Sequence, residues 1–167
     1  MLKRIVRTLS LLFAMLLLLA AFAACGGEPV PKQEKDVPFD EVFAGVSSFM
    51  PNSDKLIDAP SSYLSGYFKT TADAFANSRI QIQSVSTVID EIGLFEAKSD
   101  EEVADVEALV DAFFAFRKEI WDDQYLPEET PKLEGATRVT HGRYVLYVIA
   151  DAETVRTVCD AFEALFR

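Results

Sequence analysis

One histidine, one tryptophan and two cysteines are all this chain offers of the residues on which most metal sites and nucleophilic triads depend. Zinc centres draw on several His or Cys ligands, and hydrolytic triads set a histidine beside a nucleophile. His141 has no such company. With Gly142 it reads instead as the exposed two-residue tip of a hairpin. Cations are scarce as well: 16 Lys and Arg stand against 27 Asp and Glu, a net charge of −11. The phosphates of a nucleic acid would be repelled by such a surface, and anionic lipid would find no basic patch on it. Nucleic acid is therefore excluded as a partner. The balance favours a basic protein or a cationic ligand, and it also serves plain solubility. Neither a phosphate-binding glycine loop, a CxxC pair nor an internal repeat is present. Composition and motifs thus supply no metal site, no cofactor site and no catalytic constellation.

What the chain does have is a distinctive beginning. Lys3, Arg4 and Arg7 precede an unbroken apolar run over residues 11–24, which ends in Phe22-Ala23-Ala24-Cys25-Gly26-Gly27. Charge, apolar run and small residues in that order make a signal peptide. A thiol directly after two alanines resembles the bacterial lipobox, in which the cysteine takes up a diacylglycerol and the chain is cut before it. Phe22 stands where that motif usually has leucine. We expect residues 1–24 to be a lipoprotein signal and Cys25 the lipidated residue, leaving the protein lipid-anchored on the extracytoplasmic face of the cell membrane. The signal takes three cations and no acid with it, so the mature chain is more acidic still. Cys159 then remains as the single thiol, unable to form an internal disulfide. Its place on the apolar face of a helix marks it as a small buried hydrophobe.

Residues 25–38 hold prolines and charges and almost nothing to bury, which is the composition of an extended tether. Fully stretched, it holds the domain on the order of 40 Å from the lipid. A single domain is expected over 39–167. Phe39, Val42, Phe43, Val46 and Met50 recur at helical spacing up to Pro51. Residues 52–62 read as turn, and 63–75 as a helix broken near Thr70. Ile80 and Ile82 alternate with glutamines, as in a half-buried strand, and a second strand runs over 92–97. Ser99 and Glu102 form a capping-box pattern ahead of a long helix striped by Val103, Val106, Val110, Phe113, Ile120 and Trp121. A polar loop reaches Gly135, followed by strands over 136–140 and 143–150. The second of these is apolar on both faces, as a covered central strand would be. Asp151 caps a final helix. The order predicts an α+β fold with two layers, a mostly antiparallel sheet packed with helices.

Three segments resemble a known family. They are Asp90-Glu91-Ile92-Gly93-Leu94-Phe95-Glu96-Ala97-Lys98, then Tyr125-Leu126-Pro127-Glu128 with Lys132-Leu133-Glu134, then Gly142-Arg143-Tyr144-Val145-Leu146-Tyr147-Val148-Ile149. Together they are similar to a bacterial lipoprotein family catalogued as domain of unknown function 4358. The resemblance spans roughly residues 90–166. It implies location and fold, and brings no catalytic residues to carry over.

Two function classes remain. The first is a non-catalytic binding or envelope accessory module. Its candidate surface is Trp121, Asp122, Asp123 and Tyr125, where aromatic area meets acids that oppose the dipole of a helix C-terminus. The second is a carboxylate-dependent hydrolase acting on cell-envelope material, for which Asp90/Glu91 and Asp122/Asp123 are the available acids. Neighbouring residues on a strand point to opposite faces, so solvated acids are the simpler reading of both pairs. The run Asp100-Glu101-Glu102 lacks the alternating ligands and central glycine of a calcium loop.

Overall fold

The computed structural model describes residues 36–167. The expected signal peptide, Cys25 and nearly all of the expected tether lie outside the described residues. Among the described residues, no helix is long and apolar enough to cross a membrane.

Helix α1 (Phe39–Ser47) starts directly after Pro38, with Asp40 and Glu41 in its first turn. It buries Val42, Phe43 and Val46, with Met50 beneath the turn that follows. The buried set begins earlier than the expected boundary: Val37 is 2% exposed, and its carbonyl accepts a hydrogen bond from the Tyr144 hydroxyl at 2.9 Å. A short strand β1 (Leu56–Asp58) lies in the stretch expected to be turn. In place of the expected helix at 63–75 the chain makes a single π-helical turn (Leu64–Phe68) and a 3₁₀ turn (Ala72–Ala74). Lys69 ends the π turn in the left-handed region, at φ 56°.

The strands β2 (Asn77–Gln83) and β3 (Glu91–Glu96) follow. Ser99 makes no capping bond, so the capping box does not form. A 3₁₀ turn leads instead into α2 (Val103–Glu119). Within the expected polar loop sits a one-and-a-half-turn helix, α3 (Thr130–Glu134), with proline in its first turn, where a missing N–H costs nothing. Strands β4 (Thr137–His141) and β5 (Tyr144–Ile149) form the hairpin, and α4 (Ala152–Ala164) closes the domain. Asp151 caps α4 as expected, accepting from the backbone N–H of Glu153 and Thr154 at 3.0 Å each.

The hairpin register differs by one residue from the expectation. His141 pairs with Tyr144, so the loop is Gly142-Arg143. Gly142 alone has positive φ, 52°, which suits a type II′ turn with glycine in first place. His141 therefore leaves the tip, becomes half-buried, and stacks on Phe166 with ring centroids 4.0 Å apart.

All five strands pair antiparallel, in the order β1-β2-β3-β5-β4. The α+β class and the antiparallel sheet are as expected, and β5 is internal, buried from Val145 onward. The layer count is corrected. Strand alternation sends Ile92, Leu94, Leu146 and Val148 to one face, where α1 and α4 cover them. It sends Phe95, Val145, Tyr147 and Ile149 to the other, under α2 and the π turn. Helices thus lie on both faces, and the sheet is the middle of three layers rather than one of two. Cys159 is half-buried at the margin of the first core, where burial pushes its thiol above the usual range.

Candidate functional site

The second core face contains the acids that matter. Glu91 opens β3, and the two-residue period puts it on the same face as Gly93 and Phe95. Opposite Gly93 stands Tyr147 of β5. Above them, α2 presents Phe113, Arg117 and, just past its end, Trp121, spaced by four residues on one side. The π turn brings Tyr63 and Tyr67 to the same place, their rings 4.5 Å apart.

Glu91 is 2% exposed, and three donors reach it. Tyr147 donates to Oε1 at 2.5 Å, while Tyr63 and Arg117 Nη1 donate to Oε2 at 2.7 and 2.8 Å. Arg117 Nη1 also donates to the Tyr63 hydroxyl at 2.6 Å. Burial raises the Glu91 carboxyl above the usual carboxylate range, against the opposing pull of Arg117 and the two hydroxyls. Burial likewise raises both tyrosines, with the Glu91 charge adding to it. For Arg117 burial works against the charge and Glu91 prevails, so its guanidinium is held more firmly protonated. The guanidinium lies against the faces of Tyr67 and Phe113, 5.3 and 5.6 Å from their centroids.

Beside it lies a second cluster. Asp90 is 3% exposed, and its Oδ1 is 2.9 Å from Lys132 Nζ. Lys132 also donates to Glu129 at 3.0 Å. Glu129 in turn accepts from the Ile89 N–H at 2.9 Å. Burial raises the Asp90 carboxyl, with Lys132 pulling the other way. The solvated state expected for Asp90 and Glu91 is corrected here. Both are buried and paired, because the strand start lies under α2, α3 and the π turn.

A cleft of about 250 Å³ opens over the first cluster. Tyr63, Tyr67, Val85, Ser86, Arg117 and Trp121 are among its walls. A second groove of about 220 Å³ is lined by Lys118, Trp121, Asp123, Thr130, Leu133 and Glu134. Trp121 belongs to both. Its indole N–H donates to Thr130 Oγ1 at 2.9 Å, which fixes the ring as the ridge between them.

The expected surface is only partly gathered. Helix α2 ends at Glu119, so Asp122 and Asp123 lie beyond it in a turn, and their conflict with the helix dipole disappears. Asp122 Oδ1 accepts from the Gln124 N–H at 3.0 Å. Trp121 and Asp123 share the second groove. Asp122 and Tyr125 line neither, and Tyr125 stands 71% exposed. Sequence reading passes over Arg117, Tyr63 and Tyr147. The available signal is an arginine in step with the apolar stripe, four residues from both Phe113 and Trp121. Among the described residues no group of three or more His, Cys, Asp or Glu is placed to hold a metal ion.

Compared with known proteins, residues 53–150 match the family described as Domain of unknown function (DUF4358). The matched span holds β1 to β5 and the residues of both clusters. No curated protein and no solved structure matches the chain.

Proposed function

This chain belongs to the DUF4358 family, and from that premise we propose that it is a non-catalytic binding module, lipid-anchored through Cys25 on the extracytoplasmic face of the membrane. The observation that supports the reading is the state of Glu91. Both its oxygens are engaged, by Tyr63, Tyr147 and Arg117. A general acid or base has to exchange a proton with substrate. An acid held by three protein donors is suited to rigidifying a site instead. The recognition surface is the ridge at Trp121 with the adjoining Asp122, Asp123 and Tyr125, and its acids favour a basic partner.

The competing reading is a carboxylate-dependent hydrolase acting on envelope material. One experiment separates the two. The protein is incubated with envelope glycans and peptides, and both retention and turnover are followed by mass spectrometry. Retention of a basic component, lost in the Asp122→Asn/Asp123→Asn variant with an unchanged unfolding curve, is the expected result. New cleavage products that vanish with Glu91→Gln or Asp90→Asn, in variants still folded by circular dichroism, would establish the hydrolase.

A further inference from the structure

Arg117 is held by its neighbours through one nitrogen only. Nη1 donates to Glu91 and Tyr63, while among the described residues no acceptor takes Nε or Nη2. The side chain is 12% exposed and forms part of the cleft wall. Glu91 cancels the charge locally. A further anion in the cleft would face an acidic chain with no net positive charge beneath it, whereas an uncharged carbonyl oxygen gains a charge-assisted hydrogen bond without that repulsion.

The rest of the surface is graded. On the Arg117 side apolar Val85 and Val88 stand beside polar Gln83, Ser86 and Asp90, and Val85 is 49% exposed. Across Trp121, the second groove has Asp123 and Glu134 in its lining, with Lys118 as its cation. The Arg117 guanidinium lines one groove and the Asp123 and Glu134 carboxylates the other, and the two grooves meet at Trp121. An extended peptide presents the complementary groups at short, regular intervals: backbone carbonyls, an apolar side chain and a basic one.

We propose that the two grooves form one track for an extended basic–apolar peptide segment of a partner protein. Its backbone carbonyl takes the free donors of Arg117. Its apolar side chain lies between Val85 and Trp121, and its Lys or Arg side chain reaches Asp123 and Glu134. This rests on the binding-module reading and adds to it the partner's chemistry and the role of Arg117 as the carbonyl anchor.

The test uses the full chain purified in detergent and fluorescence anisotropy with three labelled hexapeptides. One alternates Lys and Leu, one has Ser in place of Lys, and one has Glu in place of Lys. The Lys peptide is expected to bind, the Ser peptide to bind about tenfold more weakly, and the Glu peptide not to bind. Arg117→Lys keeps the positive charge beside Glu91 but removes the fork, and should weaken the Lys peptide about tenfold, the loss of one charge-assisted hydrogen bond. Diffuse attraction to an acidic surface would leave that variant unchanged and would overturn the proposal. Asp123→Asn and Val85→Ser are exposed changes that leave the core intact. Each should weaken binding about threefold, and wild-type affinity in both would also overturn it. So would binding of N-acetylglucosamine tetramer in the absence of any peptide binding. A failure here leaves the binding-module reading standing if another component is retained. Cleavage of the Lys peptide would instead overturn that reading while locating its substrate.

Discussion

The ring of Tyr147 lies across Gly93, its partner in the β3–β5 ladder: a Cβ built at Gly93 would come within 2.1 Å of Tyr147 Cε1. Glycine inside a strand weakens it, and a close approach of this kind is the compensating reason to keep one there. The missing side chain lets the tyrosine lie down on the sheet and carry its hydroxyl to Glu91. Gly93→Ala should therefore cost about 3 kcal/mol, the upper range for overpacking a filled core. Urea unfolding reads this directly, and a cost under about 1 kcal/mol would mean that the ring has room to move aside.

Glu91 and Arg117 are buried together, and their removal should not be additive. Glu91→Gln leaves Arg117 without a counter-ion and should destabilise by about 3 kcal/mol, the usual cost of breaking a buried pair. Adding Arg117→Met removes the stranded charge, while the amide introduced at position 91 can accept from one tyrosine hydroxyl through its oxygen and donate to the other through its NH2. The double variant should recover most of the loss in urea unfolding. Equal destabilisation in the single and double variants would show that the hydrogen bonds, not the charge, dominate.

Much of the fold follows from period alone. The apolar stripes of α1, α2 and α4 and the alternation in β2 are local patterns, and β5 with its two apolar faces could only be internal. What escapes is short or non-local. Three residues, Leu56-Ile57-Asp58, give no period to read, and the five of α3 lie in a loop-like stretch of acids and prolines. The hairpin register turns on where Gly142 can take its positive φ, which the dipeptide His141-Gly142 does not decide. Glu91 looks like a solvated acid because its partners are remote: Arg117 is 26 residues away, Tyr63 28 and Tyr147 56. No local pattern joins four such positions. Only the sheet register and the packing of α2 bring them together, and the same packing sets helices on both faces.

Asp151 allows a test of pH dependence at a helix cap. Its carboxylate is held below the ordinary value of 3.8 by the Thr154 hydroxyl and by the backbone N–H of Thr154 and Glu153. A depressed folded-state pKa means the contribution is present above 3.8 and is lost as pH falls through the folded value. At neutral pH Asp151→Ala should cost about 1 kcal/mol as a lost helix cap. The gap from wild type should narrow as the pH is lowered past 3.8. Asp151→Asn retains the cap without titrating, so the gap between it and Asp151→Ala should be flat across that range. A gap for Asp151→Ala that persists undiminished in acid would assign the effect to packing.

The proposed anchoring through Cys25 is open to a direct test. Cys25 follows Ala23 and Ala24 at the end of the apolar run, and two acyl chains on one residue hold a protein on a bilayer where a single chain holds it only marginally. In Cys25→Ala the acceptor thiol is gone, so acylation and the cleavage that depends on it should both stop. Wild-type protein should shift in mass by the lipid and partition into the detergent phase on phase separation. The variant should keep residues 1–24 and take up no labelled palmitate. Trimming the variant's apolar run by protease should then release residues 36–167 in water-soluble form, since the tether and the acidic domain after it have no basic patch for anionic lipid. Palmitate incorporation undiminished in Cys25→Ala would move the anchor elsewhere. Stable membrane retention of wild type without any lipid mass would identify residues 5–24 as an uncleaved span in place of a signal.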